Sequence, residues 1–147
     1  MRRRSAVVLG IGLLLVACGA EHKGDAKSVA AEALAGTSWA IVEIDGAAIP
    51  DAKDGPPAEL VFLEEARFAG SAGCNRILGA AVQDGGKLTL TPGPMTMMAC
   101  PEPLGSRETS LVKALGAVTG HRRSGDALEL LAGDRVVVRL VRKTNAP

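Results

Sequence analysis

Hydrophobic and polar residues alternate along much of the chain beyond residue 36, with the period of a half-buried β-strand. In residues 87–91, Leu88 and Leu90 face one side and the polar residues face the other. In residues 135–141, Val136, Val138 and Leu140 are expected to face inward together. The pattern predicts antiparallel strands near residues 37–44, 58–63, 66–71, 75–82, 87–91, 94–98, 118–123, 127–131 and 135–142.

Short glycine-containing sequences separate these strands and indicate tight hairpins. They are Asp84-Gly85-Gly86, Gly125-Asp126 and Gly133-Asp134. Such residues tolerate the positive φ angles of two-residue turns. The predicted topology is therefore an antiparallel meander in one domain.

Residues 106–117 break the alternation and predict a single helix, because their apolar positions recur at helical spacing. Ser106 is the expected N-cap, Glu108 is expected in the first turn, where the helix dipole favours an acid, and Gly116 is the expected stop. We therefore expect an α+β fold. It would be a curved antiparallel sheet or small open β-barrel of about eight strands, with one amphipathic helix packed across it.

An apolar run from Ala6 to Val16 follows three arginines and ends at Leu15-Val16-Ala17-Cys18. A membrane-spanning helix needs about 20 apolar residues, and this run is shorter. Its length and its position after basic residues are typical of a secretory signal peptide. The four residues that end it resemble the lipobox cut by lipoprotein signal peptidase. The alternative is a plain secretory signal with Cys18 as an incidental thiol.

The lipobox implies that Cys18 carries diacylglycerol and usually an N-acyl chain such as palmitate, which together anchor a protein stably. Gly19 rather than an aspartate follows Cys18, and this favours the outer membrane, facing the periplasm. We therefore divide the chain into a signal peptide (1–17), a lipidated Cys18 with a tether (18–35), a globular domain (36–142) and a tail (143–147). As a flexible coil the tether would span roughly 20 to 25 Å.

Charge and composition give no support to nucleic-acid binding. The chain has 17 basic and 16 acidic residues, and removal of the three signal arginines leaves a small negative charge. It contains no tyrosine, two phenylalanines and one tryptophan, whereas single-stranded nucleic acids are bound by basic grooves with aromatic platforms. The basic residues near the end of the domain, Arg122, Arg123, Arg139, Arg142 and Lys143, are predicted to be solvated strand edges and a basic tail.

Two cysteines, Cys74 and Cys100, remain beyond Cys18. In the oxidising envelope a pair of cysteines in a small domain favours a disulfide over free thiols. Their α-carbons would have to lie about 4.4 to 6.8 Å apart, which the sequence does not establish.

Several motifs resemble the META domain, also called HslJ-like. They are Gly36-Thr37-Ser38-Trp39, Gly73-Cys74-Asn75 and Met95-Thr96-Met97-Met98-Ala99-Cys100, followed by Glu108 and residues 111–115. The resemblance covers nearly all of residues 36–142 and implies a small α+β envelope domain. It also implies a stress-related role without an agreed enzymatic activity.

A polar cluster of Asn75, Thr96 and Glu108 beside the cysteines is where we expect a ligand site, if one exists. For Asn75 itself, the simpler interpretation is that its side chain bonds neighbouring backbone groups in a turn. Trp39 is expected in the core with its indole N–H bonded to backbone.

Three classes of function follow from these residues. The first is a non-catalytic binding module for an envelope protein or a small ligand, or an inhibitor of a hydrolase. The candidate inhibitory loop is 45–57, for which a stiff connector between the first two strands is the simpler interpretation. The second is a soft-metal site of Met95, Met97, Met98 and the two cysteines. The simpler interpretation of these methionines is that they fill an aromatic-poor core.

The third class is an enzyme. We expect no catalytic residues, metal or cofactor, because His22 falls in the tether and His121 on a predicted surface strand.

Overall fold

The computed structural model describes residues 33–51 and 56–143. The predicted signal peptide, Cys18, His22, most of the tether and residues 144–147 of the tail lie outside the described residues. Within the described part the elements are β1 (Thr37–Ile44), β2 (Ala47–Ala48), β3 (Ala58–Leu63), β4 (Arg67–Ala72), β5 (Arg76–Asp84), β6 (Lys87–Met95), α1 (Leu104–Gly116), β7 (Gly120–Ser124), β8 (Ala127–Ala132) and β9 (Arg135–Arg142).

Eight of these strands close into an antiparallel β-barrel, because β1 pairs with β3 on one side and with β9 on the other. The short strand β2 turns back onto the end of β1. The helix α1 packs against β6, β4, β9 and β1. The predicted α+β barrel with one helix across it is confirmed, and the β1–β9 pairing is what closes it.

The joint between β6 and β7 is the weakest strand pairing of the barrel. One residue pair, Lys87 with Gly120, connects the two strands, and α1 connects them along the chain. The helix buries Leu111 and Leu115 completely, and each such side chain stabilises the fold by about 1.5 to 3 kcal/mol. The helix therefore packs its apolar side chains against β6, β4, β9 and β1 across the barrel, and it ends at Gly116 as predicted.

The core follows the predicted alternation in β8 but departs from it in β9. Leu128 and Leu130 of β8 are fully buried, as expected for one face of a strand. In β9, however, Leu130 pairs with Val138 while Leu131 pairs with Val136, so Val137 is the extra residue of a β-bulge. As a result Val137 is buried and Val136 is only half-buried, which corrects the expectation for Val136.

Two boundaries differ most from the predictions. The strands predicted near 87–91 and 94–98 are one strand, β6, which ends at Met95. The helix begins at Leu104 rather than after Ser106, with Pro103 at the N-cap position and no side-chain cap. Instead the Glu102 carboxylate accepts hydrogen bonds from the Ser106 backbone N–H at 3.3 Å and hydroxyl at 2.6 Å. The helix thus begins directly after Pro103, and the Glu102 carboxylate supplies the hydrogen-bond acceptor for its first turn.

The barrel has two distinct ends. At the entry end the described chain begins, with Leu34 N–H donating to Gln83 Oε1 and Gly36 N–H donating to the Phe62 carbonyl. At the far end lie the β4–β5 turn (residues 73–75) and the end of β6, where Ile77 pairs with Met95. The nine residues of β6 separate these two ends by about 25 Å.

Candidate functional site

Asn75 is the centre of a hydrogen-bonded cluster at the far end of the barrel. The residue is buried in the β4–β5 turn. Its Oδ1 accepts hydrogen bonds from the Met98 backbone N–H at 2.8 Å and from the Thr96 hydroxyl at 2.9 Å, and its Nδ2 donates to the Met98 carbonyl at 3.1 Å. Asn75 therefore fixes the segment that follows β6.

Glu108 completes the cluster from the helix. The buried carboxylate accepts the Asn75 backbone N–H on Oε2 at 2.9 Å and Asn75 Nδ2 on Oε1 at 3.0 Å. Because α1 begins at Leu104, Glu108 lies beyond the first turn, so the predicted dipole role is wrong. Its role is to accept hydrogen bonds from buried donors. Without this carboxylate those donors would lack partners, and the fold would be destabilised by several kcal/mol.

Residues 96–100, which we call the methionine loop, are held at both ends. Near the start, Thr96 N–H donates to the Arg76 carbonyl and the Thr96 hydroxyl accepts the Arg76 N–H, both at 3.0 Å. At the other end Cys100 forms a disulfide with Cys74, with the α-carbons 6.1 Å apart. The predicted disulfide is confirmed. Because both cysteines are in the disulfide, neither supplies a thiolate ligand to the soft-metal site that was the second class of function.

The predicted cluster of Asn75, Thr96 and Glu108 is thus brought together, but its polar groups point at one another. Hydrogen bonds within the cluster and to the Met98 backbone occupy them. This geometry orders the methionine loop. The cluster therefore supports the surface formed by this loop, whose methionines the sequence analysis assigned to the core.

The side chains of that surface are Met97 and Met98. Met97 is 86% exposed and Met98 is 58% exposed, whereas Met95 is partly buried against the core. The expectation that the three methionines fill the core is therefore wrong for two of them. The strand ends at Met95 because Asn75, far away in sequence, takes the backbone groups of Met98. The proline immediately after Cys100 is the local signal that could have indicated a loop here.

A groove of about 370 Å³ lies between the end of β6 and the outer side of α1. It is lined by Met95, Glu108, Thr109, Val112 and Lys113. Val112 and Met95 give it an apolar floor beside the methionine loop, and Lys113 is exposed on its helical side.

At the entry end, Trp39 is completely buried as predicted. Its indole N–H donates to the Thr37 hydroxyl at 2.7 Å, and not to backbone as expected. The guanidinium carbons of Arg123 and Arg142 lie 5.5 and 5.1 Å from the ring centroid. Both arginines therefore make cation–π contacts with the core tryptophan, which corrects their assignment as solvated residues.

The other basic residues assigned to solvated edges make ion pairs. Arg139 pairs with Glu43 and with Glu129, and Arg122 also pairs with Glu129. Hydrogen bonding to Arg122 is the main cause that lowers the pKa of Glu129. Lys143 pairs with Glu59 at 2.6 Å. The arginine pairs connect β7, β8, β9 and β1 on the outside of the barrel, and the Lys143–Glu59 pair connects the end of β9 to β3.

His121 is also buried inside the barrel and not on its surface, which corrects the prediction. Its Nε2 lies 3.5 Å from Gln83 Nε2, and its Nδ1 has no hydrogen-bond partner among the described residues. Burial lowers the pKa of His121.

Within residues 33–51 and 56–143, no group of three or more histidine, cysteine, aspartate or glutamate side chains is placed to hold a metal ion. No helix there has the length and apolar character needed to cross a membrane.

The fold is similar to those of solved structures. An NMR structure of a protein from Burkholderia xenovorans is 30% identical over 76% of this chain and 85% of that one, with a TM-score of 0.61. Another NMR structure is 23% identical over 74% and 91% of the two chains, with a TM-score of 0.59. A crystal structure of a DUF4847 family protein from Bacteroides vulgatus is 17% identical over 77% and 96%, with a TM-score of 0.55. The last two likenesses concern the fold alone.

No protein of curated function matches this chain. The sequence profile of the META domain matches residues 32–145, which include the β4–β5 turn, the methionine loop and α1. This chain therefore belongs to the META domain family.

Proposed function

We propose that this META-domain protein is a non-catalytic binding module of the bacterial cell envelope, anchored by a lipidated Cys18, and that the methionine loop is its docking surface. One observation carries the proposal. Met97 and Met98 expose large apolar side chains on a backbone that Asn75 and the Cys74–Cys100 disulfide hold in place.

A fixed, exposed apolar loop is well suited to recognition. Binding is weakened by the entropy lost when a loop becomes ordered, and a loop that is already ordered avoids most of that loss. Methionine side chains adapt to differently shaped partners and are frequent on binding surfaces. The adjacent groove, with Met95 and Val112 in its floor, could receive an apolar side chain of the partner.

The position of the loop supports a partner in the periplasm. The described chain enters the barrel at Leu34, at the entry end, whereas the methionine loop lies at the far end, about 25 Å away along β6. If the lipid on Cys18 anchors the protein in the membrane and the tether connects it to the domain, the domain presents the loop on the side remote from the anchor. Membership of the META family supports a stress-related role for this interaction.

Inhibition of a hydrolase is a special case of this proposal. The loop 45–57 was the predicted inhibitory segment, but its first residues form the β1–β2 turn, and Asp45 pairs with Arg135 at 2.6 Å. Those contacts restrain Asp45 on the barrel wall. The methionine loop, with its two exposed apolar side chains, is the better candidate for insertion into a partner.

The test is site-specific photocrosslinking in living cells. A photoreactive amino acid at position 97 is compared with the same group at Val82, which is 58% exposed on the outside of β5. We expect a discrete adduct from position 97 and none from position 82. We also expect Met97→Glu to weaken binding of the purified partner about tenfold or more, with Val82→Glu close to wild type. Equal adducts from both positions, or none from position 97, would overturn the proposal.

A further inference from the structure

We infer that Met97 and Met98 form an oxidant-responsive modification site, where conversion of the thioethers to sulfoxides turns the docking surface from apolar to polar. The inference rests on the proposed function, because it assigns a means of regulation to the same loop. It follows from side-chain exposure, from the bonding of the loop backbone and from the state of the cysteines.

Exposure ranks the three methionines of the described residues. Met97 is 86% exposed and Met98 is 58% exposed, while Met95 is packed partly against the core. An oxidant must reach the sulfur atom, so the order of reaction should be Met97, then Met98, then Met95.

Other readily oxidised side chains of the described residues are protected. Cys74 and Cys100 are joined in a disulfide, so neither supplies a thiolate. Trp39 has no exposed surface. Within residues 33–51 and 56–143, the two exposed thioethers are therefore the side chains most open to a mild oxidant.

The chemistry requires a peroxide or a hypohalous acid. With hydrogen peroxide, the thioether sulfur attacks one peroxide oxygen, the O–O bond breaks, and the other oxygen leaves as water after proton transfer. The sulfur is oxidised by two electrons to the sulfoxide and the peroxide is reduced. A methionine sulfoxide reductase reverses the change, with a dithiol oxidised to a disulfide and the oxygen released as water.

The modification should leave the fold intact because the loop is not held by its methionine side chains. Asn75 bonds the backbone N–H and carbonyl of Met98, and Thr96 and Cys100 hold the two sides of the loop. Oxidation therefore changes the exposed tips of a loop whose backbone stays in place. A docked sulfoxide would have to lose its hydration without a matching donor, which weakens binding by about tenfold.

The first part of the test measures reactivity in the intact purified protein. It is treated with graded hydrogen peroxide, and each methionine-containing peptide is followed by mass spectrometry. We expect Met97 to be at least half converted when Met95 is less than about a tenth converted, with the thermal unfolding midpoint unchanged. Treatment with both methionine sulfoxide reductases should restore the unmodified mass. Conversion of Met95 in step with Met97, or unfolding that accompanies the first conversion, would overturn the inference.

The second part measures docking of the partner captured through position 97. Oxidation should weaken its binding about tenfold, and the double variant Met97→Gln/Met98→Gln should do so without oxidant. Met97→Leu/Met98→Leu, whatever its own affinity, should show no change in binding when the oxidant is added, because it has no exposed thioether. Val82→Leu, a control outside the docking surface, should lose binding on oxidation as wild type does. If binding to the oxidised protein is unchanged, the inference fails and the proposed function stands. If position 97 captures no partner, both fail.

Discussion

Asn75 and Glu108 are joined by two hydrogen bonds that tie the β4–β5 turn to the helix α1. The Asn75 backbone N–H donates to Glu108 Oε2 at 2.9 Å, and Asn75 Nδ2 donates to Oε1 at 3.0 Å. The same amide bonds the methionine loop through Met98. One buried asparagine therefore couples three segments that are distant in sequence.

Replacement of this asparagine should be strongly destabilising. In Asn75→Ala, the Glu108 carboxylate loses one of its two buried donors, and the Met98 N–H and carbonyl lose their partners. We expect the free energy of unfolding to fall by about 2 to 4 kcal/mol, measured by urea denaturation under oxidising conditions. Thr109→Ala, on the exposed side of α1, is the control and should change it by less than about 0.5 kcal/mol. A similar loss in both variants would contradict the assigned role.

The Cys74–Cys100 disulfide should contribute substantially to stability. It links residues 26 positions apart, and the chain-entropy model predicts a contribution of about 3 to 4 kcal/mol for a loop of this length. The double variant Cys74→Ser/Cys100→Ser should unfold at a correspondingly lower urea concentration. Reductant should lower wild type to the same level and leave the double variant unchanged. A wild-type protein indifferent to complete reduction would refute this expectation.

Gly79 is required because its position has no room for a side chain. A Cβ there would lie 2.4 Å from Phe68 Cε1 and 2.4 Å from the Thr91 carbonyl oxygen. Gly79→Ala should therefore force the β5–β6 pairing apart and destabilise the protein by about 1 to 3 kcal/mol. In Gly86→Ala the new Cβ meets no atom within 4 Å, and the melting temperature should stay near the wild-type value. Equal melting temperatures for the two variants would contradict the packing at Phe68.

His121 should make the stability of the domain depend on pH below neutrality. Burial lowers the pKa of His121 in the folded protein, so the unfolded chain binds its proton more readily. The stabilisation is complete above the unfolded pKa of about 6.5 and is lost as the pH falls toward the lower folded pKa. His121→Gln should flatten the melting temperature between pH 7 and pH 5. His22→Gln, the change at the second histidine of the chain, should leave the pH dependence as in wild type.

Cys18 should carry the lipid anchor. Cells grown with a clickable fatty-acid analogue should label the wild-type protein, and Cys18→Ala should lose the label and leave the membrane fraction. Cys74→Ser/Cys100→Ser is the control for nonspecific thiol acylation and should remain labelled. Label that persists in Cys18→Ala would rule out lipidation at this residue.

Most of the strands, the hairpins, the helix and the Cys74–Cys100 pair were predictable from the sequence. Alternation and turn chemistry act between residues close in the chain, so a local pattern contains the information. The disulfide was predictable for a different reason, because an exported domain with two cysteines favours their pairing.

The character of the surface was decided by tertiary structure. Methionine is an apolar residue that the sequence analysis placed in the core, yet Met97 and Met98 are exposed. Asn75 bonds the Met98 backbone from 23 positions away and holds the loop with both side chains pointing outward. Likewise Arg123 and Arg142 meet Trp39 through barrel closure, and His121 is enclosed by it. The sequence by itself determined most of the strands and the presence of one helix, and it favoured a disulfide between Cys74 and Cys100. Only the closed barrel decided which side chains are exposed, because exposure depends on contacts between residues far apart in the chain.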